Sequence, residues 1–136
     1  MARKEVIDAV TARLAANWDE DDAAIYDANS VETTTPTEGG PFIVLQFPLA
    51  DTTRWPVNQR YYREEGSFRL VIHTERGSGT NVANEFADEL ADIFRDQTFA
   101  GVQCGVPSTP FFDDENDRGL YFVTSLVVPY TFNYSD

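Results

Sequence analysis

The residues able to do chemistry are few. His73 is the only histidine and Cys104 the only cysteine. His73 and Glu75 stand two apart in a segment that reads as a strand, so they share a face and could pair as a base and its orienting carboxylate. No nucleophile stands at a motif position beside them, and Cys104 has no activating neighbour in the sequence. A lone histidine in a strand also reads as an ordinary sheet-surface residue. A single cysteine excludes an internal disulfide and a cysteine zinc cluster, and a single histidine removes most zinc and triad constellations. Asp113-Asp114-Glu115-Asn116-Asp117-Arg118-Gly119 has the composition of a calcium loop. It fails the EF-hand pattern: counted from Asp113 the glycine comes one position late, counted from Asp114 the third alternate ligand is Arg118, and no glutamate closes it. A solvated acidic loop remains, with at most weak divalent binding. Gly77-Ser78-Gly79 precedes a helix and could cradle an anion, but Val82 occupies the place of the third glycine and no Gly-Lys-Ser/Thr follows. It reads as a turn. No catalytic, cofactor or metal site is assigned.

Two stretches suit recognition better than catalysis. The segment from Arg54 to Arg63 reads as a long, non-periodic loop and gathers Arg54, Trp55, Arg60, Tyr61, Tyr62 and Arg63 around Pro56. Arg, Trp and Tyr dominate protein–protein hot spots. They could also clamp single-stranded nucleic acid, a reading the overall charge disfavours, or simply cap one end of the core. Glu85, Asp88, Glu89 and Asp92 recur at helical spacing and form an acidic stripe. Such a stripe is a solvated face unless assembly covers it.

The elements that position these residues follow from periodicity. Val6, Ile7, Val10 and Leu14 mark one face of a first helix that fades at Asn17. A short strand is expected around Ile25 and Tyr26, then an irregular Thr/Pro/Gly segment. Phe42 to Phe47 reads as a strand stopped by Pro48. Ser67 to Thr74 reads as its antiparallel neighbour, with Phe68, Leu70 and Ile72 on one face. Val82, Phe86, Leu90 and Ile93, widened by Ala83, Ala87 and Phe94, form the apolar stripe of a second helix. A strand is expected at Val102–Val106, a loop from Pro107 to Gly119, and a long final strand or pair of strands from Leu120 to Tyr134. The even positions of that last segment are the apolar ones, and Pro129 marks a bulge or an edge. Both apolar helix stripes are buried if the helices share one face of one sheet. The expected fold is therefore α+β: residues 1–136 as a single domain, one mostly antiparallel or mixed β-sheet, two helices on one face.

Composition sets the outer limits. The chain has 136 residues, which suits one domain, and Leu, Ile, Val and Phe make up a quarter of it, enough for a core. Net charge is −13, from 23 acidic residues against 10 basic ones. Such a surface repels nucleic acid and anionic membranes. No run of about 18 apolar residues could span a bilayer, and the N-terminus lacks the apolar core and small-residue cleavage site of a signal peptide.

This order of elements resembles the small tail terminator proteins of long-tailed bacteriophages and phage-like particles, and more closely a phage family grouped with them. The likeness rests on the N-terminal helix, the strand Pro41-Phe42-Ile43-Val44-Leu45-Gln46-Phe47, and the run Gly66-Ser67-Phe68-Arg69-Leu70-Val71-Ile72 leading to Gly77-Ser78-Gly79. It also rests on a helix with the pattern Ala83…Ala87-Asp88…Leu90-Ala91…Phe94. Ala50 to Glu65 and the Asp113 loop match no family pattern. The resemblance implies a non-enzymatic virion protein without a cofactor, found in the host cytoplasm before assembly and then at the tail–neck junction. It implies a homohexameric ring at the head-proximal end of the tail tube, which stops tube polymerisation and provides the head–tail joining surface. The partners implied are further copies of itself, the tail tube protein and head–tail connector or neck proteins, with DNA passing through without specific binding. A ring of head-to-tail contacts needs two different patches. The expected pair is Arg54–Arg63 against acidic residues, drawn from Glu85, Asp88, Glu89 and Asp92 or from Asp113, Asp114 and Asp117, which could alternatively line the lumen. The alternatives are another neck, head-completion or tube protein of the particle, or an acidic module mimicking nucleic acid.

Overall fold

The computed structural model describes residues 2–19, 23–27, 41–56, 60–75, 80–112 and 121–135. In chain order the elements are α1 (Lys4–Asn17), β1 (Ala24–Asp27), β2 (Phe42–Arg54), β3 (Tyr61–Glu75), α2 (Thr80–Phe94), β4 (Thr98–Phe99), β5 (Val102–Cys104), β6 (Phe111–Phe112) and β7 (Tyr121–Ser135). They make one seven-stranded sheet in the order β1-β2-β3-β7-β5-β4, with β6 added to β7. Only β1 and β2 run parallel, so the sheet is mixed. The α+β expectation holds.

Alternation along the three long strands builds the core. Ile43, Ile72 and Thr124 share one cross-strand row, and Leu45, Leu70 and Leu126 share the next. These residues are buried, together with Phe68, Val128, Tyr130 and Phe132 on the same face. Both helices close over that face. From α1 come Val6, Val10 and Leu14 of the predicted face, with its fourth member, Ile7, only partly buried beside them. From α2 the fully buried row is Ala83, Ala87, Leu90 and Phe94, with Val82 and Phe86 flanking it half-buried. The stripe is therefore centred on the small Ala83 and Ala87 in the first half of α2 and on the larger Leu90 and Phe94 in the second. Phe94 meets Phe68 edge-to-face at 4.9 Å, and Trp18, just past α1, meets Phe86 of α2 at 5.4 Å. Arg13 of α1 donates to the Ile93 carbonyl, satisfying one acceptor at the C-terminal end of α2.

Four expectations need correction in whole or in part. Pro48 does not stop β2, which runs on to Arg54. Phe47 and Pro48 together oppose Phe68, because the register passes from Gln46↔Arg69 to Leu49↔Ser67. The extra residue absorbs the proline as a bulge, and the described pairing of β1 with β2 runs to Leu45. Of the two readings of Pro129, a bulge or an edge, the bulge is overturned and the edge stands: β7 pairs β3 in unbroken register from Tyr121 to Ser135. Its carbonyl accepts from the Gly105 amide, so its nitrogen also faces the β5 side, where β5 ends at Cys104. The expected Val102–Val106 strand stops at Cys104, and the expected loop after it contains β6. Between β4 and β5, Ala100 and Gly101 both take positive φ (48° and 84°), as a two-residue hairpin turn requires. A Cβ on Gly101 would lie 3.2 Å from the Phe132 ring. The Gly77–Gly79 turn and the acidic loop at Asp113, Asp114 and Asp117 lie outside the described residues. Among the described residues, no helix is long and apolar enough to cross a membrane.

The Phe68–Phe94 contact joins the helix layer to the middle of the sheet. Replacing Phe94 by Ala is expected to cost about 3–5 kcal/mol, read as a lowered urea midpoint at unchanged m. A loss below about 1 kcal/mol would show that α2 is not held by this contact.

Candidate functional site

The sequence expectation of a long loop over Arg54–Arg63 is overturned. Arg54 ends β2, while Tyr61, Tyr62 and Arg63 open β3. The ladder continues because β7 supports β3 to its first residue, with Tyr61 opposite Ser135, and the Trp55 amide donates to the Tyr61 carbonyl. The six residues thus sit at the tip of a long hairpin braced by a third strand.

That tip lies beyond the helix layer. Phe94, the last residue of α2, reaches Phe68, and Phe68 stands seven residues from the start of β3, about 23 Å of strand. α1 extends further and begins at the level of Glu64. Glu64 is only 2 % exposed. Its carboxylate accepts from the Arg3 backbone amide at 3.3 and 3.4 Å, where α1 has no side-chain cap of its own, and from the Tyr130 hydroxyl at 2.7 Å. A carboxylate at a helix N-terminus is favoured by the exposed amides and the helix dipole. Burial pushes the Tyr130 phenol well above its usual range, and the hydrogen bond and charge of Glu64 push the same way. Glu64 therefore marks where the covered sheet ends. Sequence reasoning passed over it, although counting back by twos from Phe68 puts it on the core face.

Past Glu64 the two faces of the tip are built differently. On the helix side Arg54, Tyr62 and Tyr134 share a row. The Arg54 guanidinium lies 5.9 Å from the Tyr62 ring centre, Tyr62 stacks on Tyr134 at 5.4 Å, and Arg3 sits 3.9 Å over Tyr134. On the other side Arg63 lies 4.7 Å over the Trp55 ring, and Trp55 Nε1 and Arg63 Nε both donate to Asn133 Oδ1 at 3.3 and 3.2 Å. Glu65 pairs with Arg63 at 3.6 Å. An open groove of about 180 Å³ runs between Thr53, Arg54, Trp55, Pro56 and Arg63. Trp55 and Tyr61 are 38 % and 48 % exposed, and Arg60 is exposed beside them. The core-capping reading thus fits only Tyr62, which reaches the core through Tyr134 and Phe132. Rigid aromatic faces alternating with guanidiniums suit recognition of a partner carrying carboxylates beside apolar groups. Arg3, Asn133 and Tyr134 complete the site, and no local sequence pattern links them to Arg54–Arg63.

The other candidates lie elsewhere. Glu85, Asp88, Glu89 and Asp92 are all exposed on the side of α2 away from the sheet, and Asp92 is paired with Arg95. Among the described residues, no group of three or more His, Cys, Asp and Glu is arranged to hold a metal. His73 lies flat against Phe42, ring centres 4.2 Å apart, on the sheet face away from the helices. Burial lowers its pKa. Cys104 is buried, and its thiol is pushed up to about 11 by that burial, the opposite of nucleophile activation.

Two outcomes follow. Trp55→Ala is expected to cost under about 1 kcal/mol, because an exposed ring leaves no cavity, whereas Glu64→Ala is expected to cost roughly 1–3 kcal/mol by stranding its donors; urea titration of both variants orders them. His73 binds fewer protons folded than unfolded, so stability is expected to fall as pH drops below about 6.5. The urea midpoint of the native chain should fall more than that of His73→Gln between about pH 7.5 and about pH 5.5; equal falls would show that His73 titrates alike in both states.

Comparison with known proteins adds the family. No curated protein sequence matches the chain. Among solved structures, one chain of 17 % identity matches over 100 % of this chain and 99 % of its own, with a TM-score of 0.62, a likeness of fold. The family model described as phage tail terminator protein matches residues 5–130. The chain belongs to the phage tail terminator protein family, and its role is that of a structural component of the phage tail.

Proposed function

We propose that the protein forms a ring of six copies at the head-proximal end of the tail tube, stops tube polymerisation there, and offers the surface on which the head docks. The observation that carries this reading is the hairpin tip. A small subunit that already buries its core extends a braced, solvent-facing Arg/aromatic surface past its own helices. Arg54, Trp55, Arg60, Tyr61 and Arg63 make the contact with the tail partner or the adjoining subunit, and Tyr62 holds the tip to the body. The tail tube protein and the head–tail connector or neck proteins are the other partners. DNA passes through the ring without specific binding, and the net charge of −13 suits a channel to which phosphates do not stick. The exposed α2 carboxylates have two uses in such a ring: lining that channel or facing a neighbouring subunit.

Imaging of tails assembled with the full-length protein tests this. A single ring at the head-proximal end is expected, with Trp55 and Arg60 at a contact. The double variant Trp55→Ala/Arg60→Ala should keep its fold yet reduce joined particles by about tenfold or more and leave overlong or headless tubes. A protein that repeats along the tube would be a tube subunit. Absence from particles would leave an acidic binding module.

A further inference from the structure

We propose that the sheet face turned away from the helices, centred on Arg69, receives the acidic side of α2 from a neighbouring copy. This deepens the ring reading and rests on it. Helices cover one face of the sheet, so the described part of the other face carries the odd-numbered residues of β3 and β7. Its rows are Val44, Val71 and Ser125, extended by Phe111, and Gln46, Arg69 and Val127. Half-buried valines and Phe111 at 47 % exposure make this face more apolar than a sheet surface facing only water needs to be.

Arg69 stands in the middle of it, and its Nε is buried without a hydrogen-bond partner. Other described basic side chains are engaged: Arg3 on Tyr134, Lys4 with Asp8, Arg13 on a carbonyl, Arg54 on Tyr62, Arg63 with Glu65 and Arg95 with Asp92. Among the described residues Arg69 has no such partner, in a chain with 23 acidic residues to choose from. A guanidinium that is partly desolvated and unpaired is costly, and a carboxylate arriving from outside removes the cost. On α2, Glu85, Asp88 and Glu89 are exposed and form no ion pair with a described residue. They share one helix face, and that face points away from the sheet.

The occupant follows from this arrangement. Unpaired carboxylates lie on the front of the subunit and an unpaired guanidinium on its back, so the front of one copy complements the back of the next. A head-to-tail contact of that kind builds a ring when the rotation from copy to copy closes, as the ring reading requires. The apolar surround lowers the local dielectric and strengthens the pairing.

Charge exchange in the full-length protein tests it, with ring content on assembled tails counted by imaging and confirmed by native mass spectrometry. Arg69→Glu alone, and Asp88→Arg/Glu89→Arg alone, are each expected to lower ring occupancy about tenfold or more, and their combination to restore it to within about threefold. Circular dichroism checks the fold of each, and Arg69→Gln, which keeps the shape without the charge, gives the milder loss if Arg69→Glu fails to fold. Rings that form normally in all single-site variants overturn the contact while leaving the ring intact. A loss in Arg69→Glu that the α2 exchange does not rescue means another partner, such as the tube protein, occupies the face and overturns this occupant. Native protein that makes no ring overturns the underlying reading itself.

Discussion

The length of the strands relative to the helices governs this structure. At about 3.3 Å per residue, the 15 residues of β3 and of β7 each span about 50 Å, while at 1.5 Å per residue the 14 and 15 residues of α1 and α2 span about 21 and 22 Å. Two helices of that length cannot roof such strands, even staggered. The sheet must therefore emerge from its own cover, and the chain needs a way to end the covered region without leaving buried polar groups unpaired. Glu64 does this. It supplies the acceptor that the first turn of α1 lacks and ties that turn to Tyr130 on the adjacent strand. Inward of Glu64 the sheet is held by apolar burial; outward of it, by stacked rings and guanidiniums.

Charge follows the same division. The outward side of α2 carries four carboxylates and two asparagines, whereas the guanidiniums of Arg3, Arg54 and Arg63 collect where the sheet overhangs, each against an aromatic ring. Rings and guanidiniums are compatible with both water and partial burial, so they suit strands that must be stable whether or not a partner covers them. A purely apolar overhang would invite indiscriminate association, and a purely charged one would hold three strands together poorly. The net charge of −13 keeps free copies apart at long range, where about 8–10 Å of screening length sets the reach. In the proposed ring, close contacts then depend on local pairs such as guanidinium and carboxylate.

The covered part of the molecule was legible in the sequence because burial imposes a period. Val6, Val10 and Leu14 recur at helical spacing, and Phe68, Leu70 and Ile72 alternate, so their faces could be read directly. The overhang was not legible for the same reason. Past Glu64 neither face is buried by helices, both carry polar residues, and the alternation that marks a strand disappears. Arg54 to Arg63 thus read as a loop, although register with β7 makes its ends strands. Pro48 misled because its cost depends on where the missing amide points and on whether the strand can bulge, facts set by neighbours distant in sequence. The residues around Arg54–Arg63 were correctly grouped by type, but Arg3, Asn133 and Tyr134 join them only through pairing across the sheet. Arg69 gave no signal at all, since a charged residue alternating with apolar ones is the ordinary pattern of a strand.

The prolines also bear on how copies can associate. The described pairing of β1 with β2 covers Phe42–Leu45, and among the described residues no strand pairs the outer edge of β2 from Gln46 onward. A long, flat, bare edge is a template for another strand and would extend the sheet from copy to copy without closure. The bulge at Phe47–Pro48 breaks the register of that edge where it begins, and the exposed Asp51 and Arg54 put opposite charges along the rest. On the far side of the sheet, β4 and β5 are two and three residues long, too short to template much pairing. The described edges thus offer little to edge-to-edge growth, and in the proposed ring the contacts fall to side-chain surfaces, the hairpin tip and the two faces. Contacts between faces fix both the distance and the angle from one copy to the next. A ring closes when that angle divides the full turn evenly.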